Sequence, residues 1–344
     1  VNTAPRVTMA DVARQAGVSV ATVSKVVNNK DGISPSRVAH VRQVIADLGY
    51  EASLGAQSLR SGRSGVVGML VAEFEPFSTE LLKGAALAIR AHEYELLAYS
   101  GKGMSGDRLG WERRHISRLS GTLIDGAIIV TPSGVDDRFP TPVVAIDPHL
   151  GTSTLPTVKC DSYGGALEAT AYLLSLGHRR IGFLGGRADL QSSKDREAGF
   201  RAAMADAGIS VDADLIDEGG YQPDLSISPT RKILTLPADK RPTAIFAAND
   251  LSAIKVIEVA ESLGLRVPDD ISVIGFDNVP EAALFRIPLT TMAQPLQEMG
   301  ARAMDMLCDL LAGNDVVKNV TMPTTLVERA SCAPPAGHIP EDDS

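Results

Sequence analysis

From Val66 to Arg329 short apolar runs alternate with segments of helical periodicity, and this alternation narrows the possible folds more than any other feature of the chain. Val66–Ala72, Glu95–Ser100, Ala127–Val130 and Val143–Ile146 read as strands, with helices over Glu80–His92 and Asp107–Ser120. The cycle then restarts. A helix at Ser162–Leu176 leads to a strand at Arg180–Leu184 and a helix at Asp195–Ala207, and strands at Thr243–Ala247 and Ile271–Phe276 flank a helix at Leu251–Leu263. A long helix over Leu296–Ala312 and strands near Val316–Met322 and Thr325–Arg329 complete the pattern. Repeated strand–helix units imply parallel sheets covered by helices, and two successive runs imply two similar lobes.

The first 50 residues follow a different rule. In VTMADVARQAGVSVATVSKVVN, Val7 to Asn28, Thr8 can cap a first helix with Asp11 as its capping-box partner, and Val12, Ala13 and Ala16 form one apolar face. After a turn at Ala16–Ser19, Ser19 caps a second helix whose Val23, Val26 and Val27 turn inward, leaving Val20, Ala21, Ser24, Lys25 and Asn28 on the other side. On shape alone this is either an ordinary helical hairpin or a helix-turn-helix whose second helix enters a DNA groove. A third helix runs from about Ser36 to Leu48, with Val38, Val41, Val44, Ile45 and Leu48 inward. Residues 51–65, EASLGAQSLRSGRSG, read as a linker in which Leu54 to Leu59 can form one or two helical turns. Leu59, apolar beside a basic segment, either tucks against the body or acts as a minor-groove wedge.

Charge separates these readings. The whole chain carries −9. Residues 1–65 hold eight Lys and Arg against four Asp and Glu, a net +4, so the remainder carries −13. A small basic head on an acidic body suits a DNA-binding module attached to a separate domain. There is no membrane-length apolar run and no apolar leader in VNTAPRVTMADV, so the cytoplasm is the expected compartment. Cys160, Cys308 and Cys332 lie far apart without metal-ligand spacing, and the six His are dispersed, so no disulfide framework, metal or cofactor is indicated. No phosphate loop and no nucleophile elbow is present, and the glycines of GFLGG fail the dinucleotide spacing, so no catalytic residue is assigned.

Polar residues at strand ends remain, where α/β folds hold ligands. Asp147 follows VVAI, Asn249 and Asp250 follow IFAA, and Asp277 and Asn278 follow VIGF. Arg196 begins a helix in SSKDREAGF, and Phe77 and Tyr221 stand in loops. Carboxylates, an Arg and an Asn beside aromatic faces suit a neutral polyhydroxylated ligand. Each also has a local alternative, because Asp or Asn after a strand can simply cap the next helix.

Together, MADVARQAGVSVATVSKVVN, AQSLRSGRSGVVG, GHRRIGFLGG, FAANDLSA and PDDISVIGFDNVPEAALFRIPLTTMAQP resemble the LacI family of bacterial transcriptional regulators over roughly residues 7–332. The resemblance implies an α/β chain with a small all-α helix-turn-helix head over 1–50 and a hinge over 51–65. Behind them it implies a two-lobed, periplasmic-binding-protein-like core with parallel sheets over 66–332, and the polar, Pro-rich composition of 333–344 predicts a disordered tail there. It implies a homodimer on a palindromic operator of two half-sites, governed by a small effector, most often a mono- or oligosaccharide and in some relatives a purine or a phosphocarrier protein. Ser19, Thr22, Ser24 and Asn28, with Thr8 and Ser34, match DNA-contacting positions. Val20, Ala21 and Lys25 match those that set operator sequence, and Leu59 matches the hinge leucine. Lys25 in place of the more frequent Arg loses a bidentate fork to guanine. Phe77, Asp147, Arg196, Tyr221, Asn249 and Asp277 match effector-binding positions, whereas Cys160 stands where relatives often carry a pocket aromatic. A sugar-binding transport protein would account for the two lobes but not for the basic head.

Overall fold

The structure, a computed structural model, describes residues 7–50, 63–101, 111–132, 138–149 and 154–336. It divides into two compact units, Val1–Gly65 with Gly121–Ile124, and Val66–Ser120 with Asp125–Ser344.

In the first unit α1 spans Met9–Gln15, α2 Val20–Val27 and α3 Pro35–Leu48. The capping box at the start of α1 is formed: the Asp11 N–H reaches the Thr8 hydroxyl and the Thr8 N–H reaches the Asp11 carboxylate. Ser19 caps α2 by accepting from the Thr22 N–H at 3.1 Å. Gly17, at φ +62°, lets the chain reverse between the two helices, a conformation that costs a residue with a Cβ. Val12, Val23, Val26, Val41 and Val44 make the small core. The expected linker and its Leu54–Leu59 turns lie outside the described residues.

In the second unit the chain lays down β1 (Val66–Val71), α4 (Pro76–Ala88), β2 (Glu95–Ser100), α5 (Trp111–Leu119), β3 (Gly126–Val130), β4 (Val143–Ile146) and β5 (Thr157–Cys160). It then crosses to a second lobe for α6 (Ser162–Ser175), β6 (Ile181–Gly185), α7 (Gln191–Asp206), β7 (Ile216–Glu218) and α8 (Pro223–Leu234). That lobe continues with β8 (Ala244–Ala247), α9 (Asp250–Ser262), β9 (Ser272–Asp277), α10 (Pro280–Leu284) and β10 (Thr290–Ala293). The chain returns to the first lobe for α11 (Leu296–Ala312) and β11 (Asn319–Met322), and crosses a third time into β12 (Thr325–Val327). The first sheet has the order β11-β5-β4-β3-β1-β2 and is parallel throughout. The second has the order β12-β10-β9-β8-β6-β7, with only β12 antiparallel. The central strands are buried along their whole length, as a sheet covered on both faces requires.

Five elements were not foreseen. Strands β5, β7 and β10 are only three or four residues long, too short to announce a period. Helix α8 contains Pro229 and is preceded by a Gly-Gly pair, so it reads as loop, and α10 is a single turn. Helix α7 begins at Gln191, one turn before the expected Asp195, and Phe77 lies in the first turn of α4 instead of a loop. The chain also stays ordered past Cys332. Ala333, expected to open a disordered tail, accepts from the Ser272 hydroxyl at 2.9 Å and donates its N–H back to it at 3.0 Å. Residues 337–344 lie outside the described ones.

Helix α11 crosses α4 at backbone contact. A Cβ on Gly84 would overlap the Gln297 carbonyl, and one on Gly300 the Leu81 carbonyl. This joint seats α11 against β3, β4 and β5. Gly300→Ala should therefore force the helices apart and cost about 1–3 kcal/mol, the usual overpacking penalty. A thermal melt of the variant unchanged from that of the parent protein would refute the joint.

Candidate functional site

On the head, α2 is amphipathic at side-chain level. Val23 and Val26 are buried, while Val20 (47% exposed), Ala21, Lys25 and Asn28 face outward. Thr22 and Ser24 are half-buried beside them, and Ser19, Thr8 and Ser34 are exposed at the starts of α2, α1 and α3. Several of these polar groups are already in use. Ser19 and Thr22 share a hydroxyl–hydroxyl bond of 2.9 Å, and Asn28 donates to the Ser24 carbonyl at 2.6 Å. Thr8 is held by Asp11, whereas the Ser34 side chain makes no cap bond. The outward face is thus two small apolar side chains, one cation and preset hydroxyls. Leu59 lies outside the described residues.

In the second unit, five of the six expected cleft residues converge around one buried cation. Arg196, in the second turn of α7, is 3% exposed. Its Nη1 stands 3.6 Å from Asp277 Oδ1 and donates to the Ala248 carbonyl, and its Nε donates to Ser162 Oγ at 3.4 Å. The guanidinium lies 3.8 Å above the Phe276 ring and 5.6 Å from that of Tyr221. Asn249 does cap α9, accepting from the Ser252 N–H at 3.1 Å, and its amide N–H also holds the Tyr221 carbonyl at 3.3 Å. Asp277 accepts from Gln294 Nε2 at 2.6 Å. Phe77, in the first turn of α4, is half-buried against the hydrophobic core, as Tyr221 is, and Phe74 in the same segment is 54% exposed. Asp250 is structural: its carboxylate takes the Thr291 hydroxyl and the Val279 N–H, and burial pushes its pKa up to about 7.

The lobes meet here. Asp147, just after β4, lies beside Ser192 of α7, and the His149 carbonyl accepts from the Gln191 N–H at 3.0 Å. The His149 ring reaches Asp189 at 3.3 Å and Arg187 at 3.2 Å. Burial pushes the carboxyl of Asp147 above its usual range, opposed by Arg196 and Ser192. Burial pushes Asp277 up as well, with Arg196 and Gln294 opposing and Asp250 adding to the rise. Burial works against the Arg196 charge, and the Asp277 and Asp147 carboxylates offset it, so the guanidinium stays protonated. The Cys160 thiol is pushed up to about 11 by burial, so it sits as an inert neutral group. Asp147, Tyr221, Asp277 and Asn278 all adopt positive φ (+47°, +63°, +122° and +60°), a conformational cost gathered at the strand ends and the adjoining loop, with the Asn278 side chain turned to Arg329. The Tyr221 hydroxyl is buried without a hydrogen-bond partner among the described residues.

Sequence reasoning missed Ser162, Ser192, Phe276 and Gln294. Gln294 follows β10 by the same strand-end rule and was hidden with that strand, and Ser192 lies in the unforeseen first turn of α7. Phe276 gave no signal, being one apolar residue in an apolar strand.

Comparison with known proteins agrees with both units. Residues 8–53 match the family described as bacterial regulatory proteins, lacI family, and residues 170–332 match the periplasmic binding protein-like domain. The HTH-type transcriptional repressor PurR of Aliivibrio fischeri (strain MJ11) is 32% identical, covering 94% of this chain and 98% of its own. Catabolite control protein A of Priestia megaterium is 33% identical over 88% of this chain and 91% of its own. Among solved structures, the Lac repressor dimer bound to operator and the anti-inducer ONPF superposes with a TM-score of 0.81 at 25% identity, covering 95% and 99% of the two chains. The transcriptional regulator CelR in complex with cellobiose gives a TM-score of 0.68 at 28% identity, covering 95% and 100%.

The Arg196–Asp277 pair makes a checkable demand on stability. Arg196→Met leaves a buried carboxylate without its cation and should cost about 3–5 kcal/mol, much of it recovered when Asp277→Asn is added. Urea denaturation of the two single variants and the double tests this; strictly additive losses would mean that the pair is not coupled.

Proposed function

The chain belongs to the LacI family of bacterial regulatory proteins, and we propose that it represses carbohydrate-use genes and is released from its operator by a sugar held between the lobes. It is a DNA-binding transcriptional regulator and not an enzyme. The observation that carries the sugar reading is the donor set around Arg196. Asp147, Asp277 and Asn249 offer acceptors to ligand hydroxyls, Arg196 offers donors, and the free Tyr221 hydroxyl offers one of each.

Palindromic operator DNA is read by a homodimer. Val20, Ala21 and Lys25 face bases, while Thr8, Ser19, Thr22, Ser24, Asn28 and Ser34 position the helix on phosphates. Leu59 enters a central base step. In the core, Leu225 and Ile227 on α8 and Leu284 on α10 are exposed on helices that both pack on α9, an apolar surface suited to the second copy. A sugar draws the lobes together, shifts the dimer contact near residues 66–120 and separates the two hinges. Weakening operator binding about 100-fold needs about 2.7 kcal/mol of preference for the released form, within the ordinary range of coupling between sites.

A purine is the second reading, favoured by the near full-length likeness to the PurR repressors. Two features weigh against it. The Phe276 face is covered by Arg196, and Cys160 offers no ring where a stacking partner would stand.

Fluorescence anisotropy on an operator duplex selected from a random pool, with sugars and purine bases titrated in, tests the reading. A hexose or a larger sugar should release the protein, and Asp147→Asn should raise the concentration needed at least about tenfold, the loss of one charge-assisted bond. Because hydroxyls bind the ionised forms of Asp147 and Asp277, whose pKa values are raised, sugar affinity should fall as pH drops, and at a higher pH than an ordinary carboxylate would give. Release by purine bases alone would overturn the sugar reading. For the hinge, Leu59→Ala should weaken specific binding far more than non-specific binding and reduce the bend. An unchanged bend in a circular-permutation gel would sink the wedge.

A further inference from the structure

We propose that His149 is a proton-sensitive fastener between the two lobes, holding the chain just after β4 to the loop between β6 and α7 while neutral and letting go when protonated; this rests on the reading above that the lobes approach as operator DNA is released, and it needs no particular effector. His149 belongs to the first lobe, where its N–H donates to the Pro132 carbonyl at 3.3 Å. Two contacts carry it across to the second. Its carbonyl accepts from the Gln191 N–H at 3.0 Å, and its ring Nε2 stands 3.2 Å from Arg187 Nη2 and 3.3 Å from Asp189 Oδ2. The loop that presents these two residues is itself braced. Arg187 donates to Asp189 through Nη2 at 2.6 Å and Nε at 3.1 Å, and the Ala188 N–H donates to Glu218 Oε1 at 3.3 Å. The His149 side chain is 9% exposed against 37% for Arg187 and 57% for Asp189, so the ring is the buried member of the group.

One ring nitrogen cannot serve both neighbours. A guanidinium only donates and an ionised carboxylate only accepts. Burial works against the Asp189 charge, but Arg187 more than offsets it and holds the carboxyl below its usual range, so both neighbours are charged. With its proton on Nδ1, the neutral ring accepts from Arg187 through Nε2 and completes a His149–Arg187–Asp189 chain across the joint. A second proton, on Nε2, sets two donors 3.2 Å apart and an imidazolium beside a guanidinium. Burial and Arg187 oppose that charge, while Asp189, Glu112 of α5 and the Pro132 carbonyl favour it, and the balance holds the ring below the ordinary histidine pKa. Asp147, after β4, faces the same ring and gains from its charge. When the lobes part, Arg187 withdraws and water reaches the ring, so the ordinary histidine value returns. Above the histidine range both forms are neutral and the fastener is intact. As pH falls through that range the parted form takes its proton first, and the fastener is lost.

Operator binding by the full-length, effector-free protein, followed by anisotropy on the selected duplex at about pH 8 and about pH 6, tests the fastener with two variants. His149→Gln keeps an acceptor near the place of Nε2 and takes no proton, whereas His149→Leu keeps the bulk and offers neither. Fastened lobes favour the released form. At the higher pH His149→Leu should therefore bind operator about threefold tighter than the parent protein, the worth of one bond to a partly exposed charge, and His149→Gln should match the parent. At the lower pH the parent should match His149→Leu instead, leaving His149→Gln about threefold weaker than both. Comparison at each pH cancels the groups that all three proteins share. Should His149→Leu fold poorly, the parent against His149→Gln must still open the threefold gap between the two pH values. A parent that follows His149→Gln at both, or three proteins that coincide throughout, overturns the fastener while leaving release by a sugar standing. If neither the sugars nor the purine bases shift the operator affinity of any of the three, the reading of approaching lobes fails, and the fastener with it.

Discussion

A single buried guanidinium organises the ligand-binding half of this protein. Arg196 cannot give up its proton, and its place inside the protein is tolerable only because Asp277, the Ala248 carbonyl, Ser162 and the Phe276 ring surround it. Each of those partners is itself constrained. Asp277 is held by Gln294, Ser162 opens the helix that follows the first lobe crossing, and Ala248 ends the strand that presents Asn249. The cluster is therefore one electrostatic unit, assembled from four strand or helix ends. The same low-dielectric setting that makes it costly also strengthens any hydrogen bond an effector forms there, because that bond is not competing with bulk water.

Where the sequence was legible, a long period or a steric rule stood behind it. Helix α11 and strands β2 and β4 run over the expected residues because each presents a full apolar face or an uninterrupted apolar run. The capping box at Thr8 and the cap at Ser19 followed from side-chain chemistry alone. Elements that escaped were those that tertiary packing forms against local preference. Helix α8 accommodates Pro229, and β5 and β10 are short strands that exist because neighbouring strands supply their partners. Much of the cleft was visible as polar residues after strands, yet the supporting shell was not. Ser192 lies in the one turn of α7 that was unseen and Gln294 directly follows the unseen β10, while Phe276 differs from any core phenylalanine only by what lies above it.

The division of charge follows the division of labour. The head concentrates its cations within a small helical module whose core is a handful of valines, whereas the acidic remainder leaves the rest of the surface unattractive to DNA. A module this small contributes little affinity alone, which places the weight on pairing two of them. Regulation can then act on the spacing of the heads without altering either reading helix.

The threefold passage of the chain between lobes bears on how the protein is made. The outer strand of the first sheet, β11, is drawn from residues 319–322, and the antiparallel edge of the second, β12, from residues 325–327. During synthesis the head emerges first and has all of its own core residues in hand. Both lobes, by contrast, wait for residues 319–327 before either sheet is closed. Until then each growing lobe exposes a parallel edge, β5 in one and β10 in the other, an opening that invites mispairing and that vectorial synthesis leaves uncovered longest. The late arrival of β11 and β12 couples completion of the two lobes to nearly the same moment, so a chain released early carries a finished DNA-reading head on a ligand-binding body with both edges unsealed.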